Sequence, residues 1–453
     1  MVAPEGDLIR ADLIVTGASE LLVCPTYAES GDVEPGLGRI LSGAVAAREG
    51  RIVWVGESSQ VEEEVRLLPG GKRVDAGGHL VMPGLVDPHT HLAFEGDRAD
   101  EFELRLAGAS YQDIAAAGGG ILKTVDATRH APKEVLIASA RHRLDRFLRY
   151  GITTVEAKSG YGLNPDHELR LLDVYREVDA EHAVDVVPTL LGANVVPSEY
   201  AGDSEGYVDL VVKKMIPAVA KHHSAVFCDA FHEVGAFTGV QCRRVLEAGL
   251  EHGLIPKLHA DQLTAAGGAE LAVELGAASA DHLDLVSDEG IALMGAAARE
   301  AKRAALTGEA ARAGSTRRAP VAVLLPGSTF FLGEGGLAPA RALLEAGVRV
   351  ALGTDFNPGS SPTQNLWLIA TMGCSLLGMS SEEVIRAVTI EAAAAVGRED
   401  DIGSLEVGKK ADILVLECRR HVEIPYRYGM NPVWQVFKDG HQVIMREHME
   451  ERL

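Results

Sequence analysis

Paired cysteines are missing from this chain. Its 453 residues include five cysteines, and none is part of a Cys-x-x-Cys pair. They are Cys24, Cys228, Cys242, Cys374 and Cys418. We therefore expect neither a disulfide framework nor a thiolate metal site, and we interpret the thiols as small buried side chains.

Export signals, membrane-spanning runs and excess positive charge are also missing. No apolar stretch reaches the ~18 residues of a membrane helix, and the first residues lack the basic and apolar regions of a signal peptide. The 43 Lys and Arg are outnumbered by 65 Asp and Glu, for a net charge of −22. Such a chain is a poor partner for nucleic acid or anionic membranes, although a small anionic substrate needs only a local cationic pocket. We expect a cytoplasmic protein.

The chain divides into three segments of different character. Its 453 residues exceed the ~250–300 residues of a usual single core, so one large domain with a satellite is expected. Residues 1–80 and 396–453 contain short strands separated by turns, which predicts one small β-sandwich built from both ends. Residues 81–395 alternate apolar strand candidates with helix-period segments.

The alternation in the middle segment predicts an α/β fold, a (β/α)8 TIM barrel, although an open doubly wound sheet has the same pattern. The eight strand candidates are Leu80–Val86, Thr153–Ala157, Val184–Leu191, Val226–Phe231, Ile255–His259, Ala277–His282, Val321–Leu325 and Val348–Gly353. Residues 299–319 break the pattern because they are rich in Ala and Arg and poor in large apolar side chains. We interpret them as a solvated insertion rather than a nucleic-acid site, given the acidity of the chain.

A His-Thr-His sequence at 89–91 directly follows the first strand candidate. Residues two apart on an extended strand point to the same face, so both imidazoles can reach one metal ion. A His-x-His pair alone is weak evidence, because most such pairs are ordinary surface or core histidines. A catalytic site needs about three protein ligands and an open water position, so His89 and His91 are a partial site.

Other polar residues stand where later strand candidates end. His259 ends the fifth candidate and Gln262 comes shortly after it. His282 ends the sixth candidate, and Asp355 follows the eighth. Each is singly more often a structural residue, but the C-terminal ends of all barrel strands converge on one face. Together with the first two histidines they predict a catalytic nitrogen–oxygen site, which accepts zinc, iron, manganese or nickel.

Three of these side chains have predicted catalytic roles. The pKa of water on a metal ion falls to ~7, and the imidazole of His282 can hold or accept its proton. Asp355 can share that proton while it touches the metal. Gln262 is neither acid nor base and can orient a substrate amide by hydrogen bonding.

The sequence around these residues resembles the amidohydrolase superfamily. The segment Pro83–His91, with the later His, His and Asp, looks like the metal motif of that superfamily. The likeness runs from the N-terminal strands to Gly440 and is interrupted mainly at 299–319. Three longer strings resemble one family within it, the imidazolonepropionases, and they are Gly96–Gly108, Lys158–Leu163 and Thr354–Thr363.

The resemblance implies hydrolysis of the ring amide of 4-imidazolone-5-propanoate to N-formimidoyl-L-glutamate, a step of histidine degradation. It implies one zinc or iron ion held by His89, His91, His259 and Asp355. It implies substrate contacts from Arg98, Tyr161, Asn194, Gln262, Asn357, Gly359 and Ser360. A guanidinium suits the propanoate, because it can bind a carboxylate bidentately. The corresponding partners are a small anionic imidazolone and a second subunit in a homodimer, with no nucleic acid and no membrane.

Two positions depart from the family pattern. Asn194 stands where the family usually has His, and His232 stands where it usually has Cys. Asn cannot be cationic, so its contact with the carboxylate or the ring differs from that of the family. Neutral drift with intact activity is the preferred interpretation, and a shifted substrate preference is the competing hypothesis.

Three other functions share the predicted barrel. Another cyclic-amide hydrolase or an aromatic deaminase would use the same ligands, but a nucleobase deaminase has little use for the carboxylate-binding Arg98. A catalytically inactive scaffold is expected to have lost ligands, whereas this chain has all four together with His282.

Overall fold

Residues 8–26, 36–109, 119–307, 318–333 and 336–446 are described by the structure, a computed structural model. Within them the N-terminal part of the chain forms short strands and one long one. These strands are β1 (Ile9–Thr16), β2 (Glu20–Leu22), β3 (Arg39–Leu41), β4 (Gly43–Arg48), β5 (Arg51–Glu57), β6 (Val65–Asp75) and β7 (Leu80–Pro83).

Eight parallel strands then form one sheet in chain order. They are β8 (Leu85–Asp87), β9 (Ile152–Lys158), β10 (Asp185–Ala193), β11 (Phe227–His232), β12 (Ile255–Ala260), β13 (Ser279–His282), β14 (Val321–Leu324) and β15 (Val350–Leu352). A parallel bridge between Thr90 and Phe356 joins the two outer strands just beyond their ends. Nearly all residues of these strands are buried on both faces, as expected where helices cover a barrel.

The two ends of the chain share a second structural unit. The last strands are β16 (Ile413–Leu416), β17 (Val433–Lys438) and β18 (His441–Met445). One sheet has the order β5-β4-β1-β6, and the other has the order β18-β17-β16-β7-β2-β3. A buried apolar cluster contains Leu13 and Val45 from the first sheet with Val81 and Ile413 from the second. The predicted fold class, a barrel with a sandwich built from both termini, is confirmed.

One predicted strand was wrong in its extent. Leu80–Val86 is divided, because Leu80–Pro83 pairs with β16 in the six-stranded sheet while Leu85–Asp87 opens the barrel. Gly84 separates them, and a Cβ at that position would overlap the Thr153 side chain. A glycine therefore allows the chain to pass from one sheet to the other. The division of the chain at residues 80 and 396 stays a prediction.

Helices follow most of the barrel strands. They are α1 (Ala99–Leu106), α2 (Ile121–His130), α3 (Lys133–Arg149), α4 (Pro165–Glu181), α5 (Ser204–Leu210), α6 (Ile216–His222), α7 (Gly239–Glu251), α8 (Gly268–Leu275), α9 (Asp288–Thr307), α10 (Pro326–Leu332), α11 (Ala340–Glu345), α12 (Leu366–Ser375), α13 (Ser381–Ala387) and α14 (Ile390–Ala395). Single turns of helix lie at Val61–Glu64 and Glu423–Tyr426, and a π-helical turn at Val211–Met215 joins α5 to α6.

Local sequence specifies several of these helix starts. The Asn164 side chain accepts the His167 amide at the start of α4, where Pro165 occupies the first turn. Thr238 and Gln241 form a capping box at α7. The predicted insertion at 299–319 begins inside α9, and residues 308–317 lie outside the described residues. In the described part of the chain, none of the helices has the length and apolarity to cross a bilayer.

Candidate metal centre and substrate pocket

The barrel closes through the same residues that are the candidate metal ligands. His89 and His91 follow β8, and Asp355 follows β15. The Asp355 amide donates to the His89 carbonyl at 3.1 Å, and the His91 amide donates to the Phe356 carbonyl at 2.9 Å. As a result, Asp355 Oδ1 lies 3.5 Å from both His89 Nε2 and His91 Nε2.

Two more histidines join this group from neighbouring strands. His259 is the next-to-last residue of β12, and His282 is the last residue of β13. The His259 ring centre lies 4.6 Å from that of His89 and 5.4 Å from that of His282. Potential ligand atoms of His89, His91 and Asp355 lie within 4.8 Å of one another, and so do those of His89, His259 and His282. The structure thus brings together the four predicted ligands and the predicted proton acceptor.

Buried carboxylates stand behind two of the histidines. Asp281 Oδ2 is hydrogen-bonded to His89 Nδ1 at 2.7 Å. Asp229 Oδ2 lies 3.1 Å from His259 Nδ1, a close contact without the alignment of a hydrogen bond. An outer carboxylate on one ring nitrogen fixes the ring and leaves the other nitrogen for a metal. Sequence reasoning missed both carboxylates, although an acidic residue inside a buried strand was an available signal.

The protonation states of the cluster suit a cation. Burial, together with the Lys158 charge, holds the pKa of His89 well below its usual value, and burial lowers the pKa of His282 to about 4. Burial alone would raise the pKa of Asp355, but the hydrogen bond to His91 and the neighbouring histidines outweigh it and lower that pKa. Neutral imidazoles beside an ionised carboxylate are the forms that bind a divalent metal.

A metal ion fits this donor set. His89 Nε2 is buried and has no hydrogen-bond partner among the described residues, which is costly for a buried polar atom. Coordination to a metal would satisfy that atom. Imidazole and carboxylate ligands are those that zinc and iron accept in catalytic sites.

Arg98 stands at the start of α1 and is held by a residue that the sequence reasoning missed. Its Nε donates to Glu101 Oε2 at 2.8 Å, and the other Glu101 oxygen accepts the Gly120 amide. A Cβ on Gly359 would overlap Arg98 Nη1, so the glycine leaves room for the guanidinium. The sequence feature that could have identified Glu101 is its i+3 spacing from Arg98 at the start of a helix, because such pairs lie close enough to interact.

The loop after Asp355 is shaped by one amide side chain. Asn357 Oδ1 accepts the amides of Gly359 and Ser360, each at 2.8 Å. Asn357 Nδ2 donates to the Asp355 carbonyl at 2.7 Å and to Ser360 Oγ at 2.8 Å. These four bonds use the hydrogen-bonding capacity of the amide. Asn357 therefore positions Gly359 and Ser360, and its predicted contact with substrate stays a prediction.

Tyr161 borders the centre from the loop after β9. Its ring centre lies 5.8 Å from that of His91, and burial followed by the Asp355 charge raises the pKa of its hydroxyl. The buried Glu168 carboxylate, which sequence reasoning also missed, accepts hydrogen bonds from the amides of Gly160, Gly162 and Leu163 on this loop. Asn194 Nδ2 donates to the Gly160 carbonyl at 3.1 Å. Asn194 thus supports the segment that carries Tyr161.

The remaining two positions lie at the ends of the adjacent strands β11 and β12. Gln262 is partly exposed in the turn after β12, where the Glu233 carboxylate accepts the next two backbone amides, those of Leu263 and Thr264. His232 belongs to neither ligand group of the described residues, and its Nε2 lies against Gly239 at the start of α7. The structure therefore places His232 apart from the metal cluster, while the backbone next to Gln262 is fixed.

Comparison with known proteins agrees with this geometry. The model of the amidohydrolase family matches residues 80–445. An imidazolonepropionase from a Geobacillus strain is 46% identical over 406 residues, covering 89% of this chain and 91% of its own length. The imidazolonepropionase of Symbiobacterium thermophilum is 46% identical over 434 residues, covering 96% of this chain and 97% of its own. The chain belongs to the imidazolonepropionase family.

Solved structures with little sequence identity share the fold. A zinc-bound adenosine deaminase from Xanthomonas campestris has a TM-score of 0.66 at 18% identity and covers 97% of this chain and 94% of its own. The guanine deaminase of Escherichia coli has a TM-score of 0.67 at 15% identity and covers 96% of this chain and 100% of its own. This chain thus shares its fold with these deaminases, while the family model and the curated relatives confirm the predicted superfamily and family.

Replacing His89 tests the centre directly. His89→Ala removes the ring that belongs to both ligand groups, so bound metal measured by mass spectrometry after desalting should fall several-fold below wild type. His232→Ala removes a histidine outside those groups and should keep wild-type metal content. Circular dichroism checks that both variants fold. Wild-type metal content in folded His89→Ala would contradict the assignment.

Proposed function

We propose that this chain hydrolyses the ring amide of 4-imidazolone-5-propanoate to N-formimidoyl-L-glutamate in histidine degradation. The observation that carries the proposal is that a histidine–carboxylate centre and Arg98 share one loop, residues 355–360. Asp355 of this loop belongs to the centre, and Gly359 of the same loop packs against the Arg98 guanidinium. The two imidazolonepropionases, 46% identical over most of the chain, support the same reaction. Water adds to the ring carbonyl carbon, the carbon–nitrogen bond breaks, and the nitrogen receives a proton.

The proposed metal ligands are His89, His91, His259 and Asp355, holding one zinc or iron ion. Such an ion, when bound, supplies Lewis-acid chemistry and makes water acidic enough to react at neutral pH. The arrangement of ligands around it depends on the buried carboxylates Asp229 and Asp281.

The chain's own residues move the protons. His282 is neutral at pH 7, because burial lowers its pKa to about 4, so its ring nitrogen can accept the proton of the attacking water. Asp355 is ionised and shares that proton through an oxygen. Gln262 orients the ring amide by hydrogen bonding. The proton then passes to the leaving nitrogen, which leaves His282 neutral for the next cycle.

Arg98 recognises the propanoate of the substrate. Glu101 occupies the Nε side of the guanidinium, and no ion pair or hydrogen bond to another described residue involves Nη1 or Nη2, so we assign that edge to the carboxylate. The proposed contacts with the ring come from Tyr161, Asn194 and the 357–360 loop. Arg98 distinguishes the proposed substrate from a nucleobase, because a nucleobase carries no carboxylate for the arginine to bind.

The charge of the chain bears on its partners. The excess of negative charge, −22 at pH 7, disfavours nucleic acid and anionic membranes as partners. A small anionic imidazolone is the proposed partner, and by analogy with the family the chain acts as a homodimer. A role in amino-acid degradation is in keeping with a cytoplasmic enzyme.

A turnover assay tests the reaction. Purified protein given enzymatically generated 4-imidazolone-5-propanoate should remove the ultraviolet band of that compound well above the spontaneous rate. Chelator-treated protein should fall to the background rate, and added Zn²⁺ or Fe²⁺ should restore it. Guanine and adenosine should release no ammonia. Loss of the band at the background rate with metal-loaded protein would overturn the proposal.

The glycine beneath Arg98 offers a test of carboxylate binding. Gly359→Ala puts a methyl group where Nη1 lies, and the flexible guanidinium should move away. A charge-assisted hydrogen bond contributes roughly 1.5–3 kcal/mol, so KM should rise about 10-fold or more while metal content is unchanged. In an Arg98→Ala background, Gly359→Ala should add little. An equal further loss in that background would show that the methyl group acts elsewhere.

Asn194 distinguishes neutral drift from shifted preference. Because its side chain holds the Gly160 carbonyl, a histidine donor there can keep the contact, and Asn194→His should leave kcat/KM on imidazolone propanoate within about threefold. A large gain in kcat/KM would instead show that the asparagine had shifted the preference of the site towards another substrate.

A further inference from the structure

A lysine lies at the centre of a buried cluster of charges beneath the metal centre. Lys158 Nζ lies 2.9 Å from Glu156 Oε1, 2.8 Å from Asp229 Oδ2 and 3.3 Å from Asp281 Oδ2. All four side chains have 0% exposure. Burial alone would lower the pKa of Lys158, but the three carboxylates outweigh it and raise that pKa. The contacts with three carboxylates therefore favour the ammonium form of this lysine in the interior of the barrel.

Two of these carboxylates also contact the candidate metal ligands. The Asp281 Oδ2 atom that meets Lys158 is the atom 2.7 Å from His89 Nδ1. The Asp229 Oδ2 atom that meets Lys158 is the atom 3.1 Å from His259 Nδ1. One ammonium thus stands between two carboxylates, each of which reaches a histidine from a different strand.

The backbone of Lys158 is fixed as firmly as its side chain. Its amide donates to the Thr90 carbonyl at 2.9 Å, and Thr90 is the residue between His89 and His91. Its carbonyl accepts the Tyr175 hydroxyl at 2.7 Å. The ammonium therefore has a defined position relative to the metal centre, and the carboxylates bound to it have one too.

We propose that Lys158 is a positioning residue that sets the metal affinity of the centre by holding Asp229 and Asp281 against His259 and His89. Without the ammonium, three carboxylates would face one another in a medium of low dielectric constant, and their repulsion would separate them. The two rings would then lose the contacts that aim their other nitrogens at the metal. This inference rests on the proposed ligand set and not on the identity of the substrate.

A second buried lysine provides a matched control. Lys257 also has 0% exposure, and its Nζ lies 3.2 Å from the Pro88 carbonyl and 3.4 Å from the Ala395 carbonyl. Among the described carboxylates only Glu156, at 3.9 Å, is within 4 Å of it. Against the effect of burial, the charge of Lys257 also lowers the pKa of Asp281, but among the described residues Lys257 makes no ion pair with Asp229 or Asp281. Lys257→Met therefore removes a buried charge that acts on Asp281 from a distance without breaking a direct contact of either carboxylate.

The test measures metal binding rather than turnover. Lys158→Met keeps most of the side-chain volume and removes the charge. Its Zn²⁺ dissociation constant, from competition with a chromogenic chelator, should rise about 10- to 100-fold, the usual effect of losing an outer partner of a metal ligand. The visible spectrum of the Co²⁺-loaded protein should change as well. Lys257→Met should stay within about threefold of wild type with an unchanged Co²⁺ spectrum.

A double-mutant cycle separates positioning from general loss of stability. If Lys158 acts through the carboxylates, Lys158→Met and Asp281→Asn should be non-additive in metal affinity, the double variant binding little worse than the weaker single variant. Additive effects, wild-type affinity in Lys158→Met, or equal losses in both lysine variants would each overturn the proposal.

If Lys158→Met does not fold, a second double-mutant cycle tests the same inference. Asp229→Asn and Asp281→Asn share the same ammonium, so they should also be non-additive, and additive effects would overturn the inference. Failure of the proposed function is recognised separately. In that case the wild-type protein itself would bind no stoichiometric metal, or bind metal without turning over imidazolone propanoate.

Discussion

The two backbone hydrogen bonds that close the barrel are the constraint on which the metal centre depends. The Asp355 amide reaches the His89 carbonyl and the His91 amide reaches the Phe356 carbonyl, so the candidate ligands themselves join the first strand to the last. Neighbouring strands lie ~4.8 Å apart, which holds the three side chains within reach of one ion. The backbones that carry these side chains cannot separate without opening the barrel, so the positions of the ligands are tied to the closure of the fold.

The interior below this seam is charged where most barrels are filled with branched apolar side chains. Lys158, Glu156, Asp229 and Asp281 are fully buried, an arrangement that adds little to stability on its own because desolvation of each charge is costly. The cluster instead orients side chains, since a carboxylate that is held by an ammonium can hold an imidazole ring in place. The rim follows the same pattern, with Glu101 holding Arg98. In both places the residue expected to meet metal or substrate contacts a buried carboxylate that orients it.

Much of the fold was predictable because alternating strands and helices leave a regular apolar pattern in the sequence. The positions that carry the four proposed ligands could be found by asking which polar residues follow apolar strands. The split at Gly84 could not, because Leu80–Pro83 and Leu85–Asp87 are equally apolar and differ only in which sheet accepts them. The supporting carboxylates Glu101 and Glu168 were missed for a related reason. A buried acid is recognisable only when its partner is known.

The sequence by itself determined the eightfold alternation, the family and the residue types of the centre, because these depend on periodicity and on strings of local residues. The tertiary structure alone decided which oxygen meets which nitrogen. Asp229 and Asp281 lie on β11 and β13, yet both meet Lys158 of β9, because inward-facing side chains from alternate strands share one layer inside a barrel. It also decided that Asn357 shapes its own loop and that His232 stands apart from the metal cluster. Such contacts follow from the twist and closure of the sheet, which no local pattern of residues records.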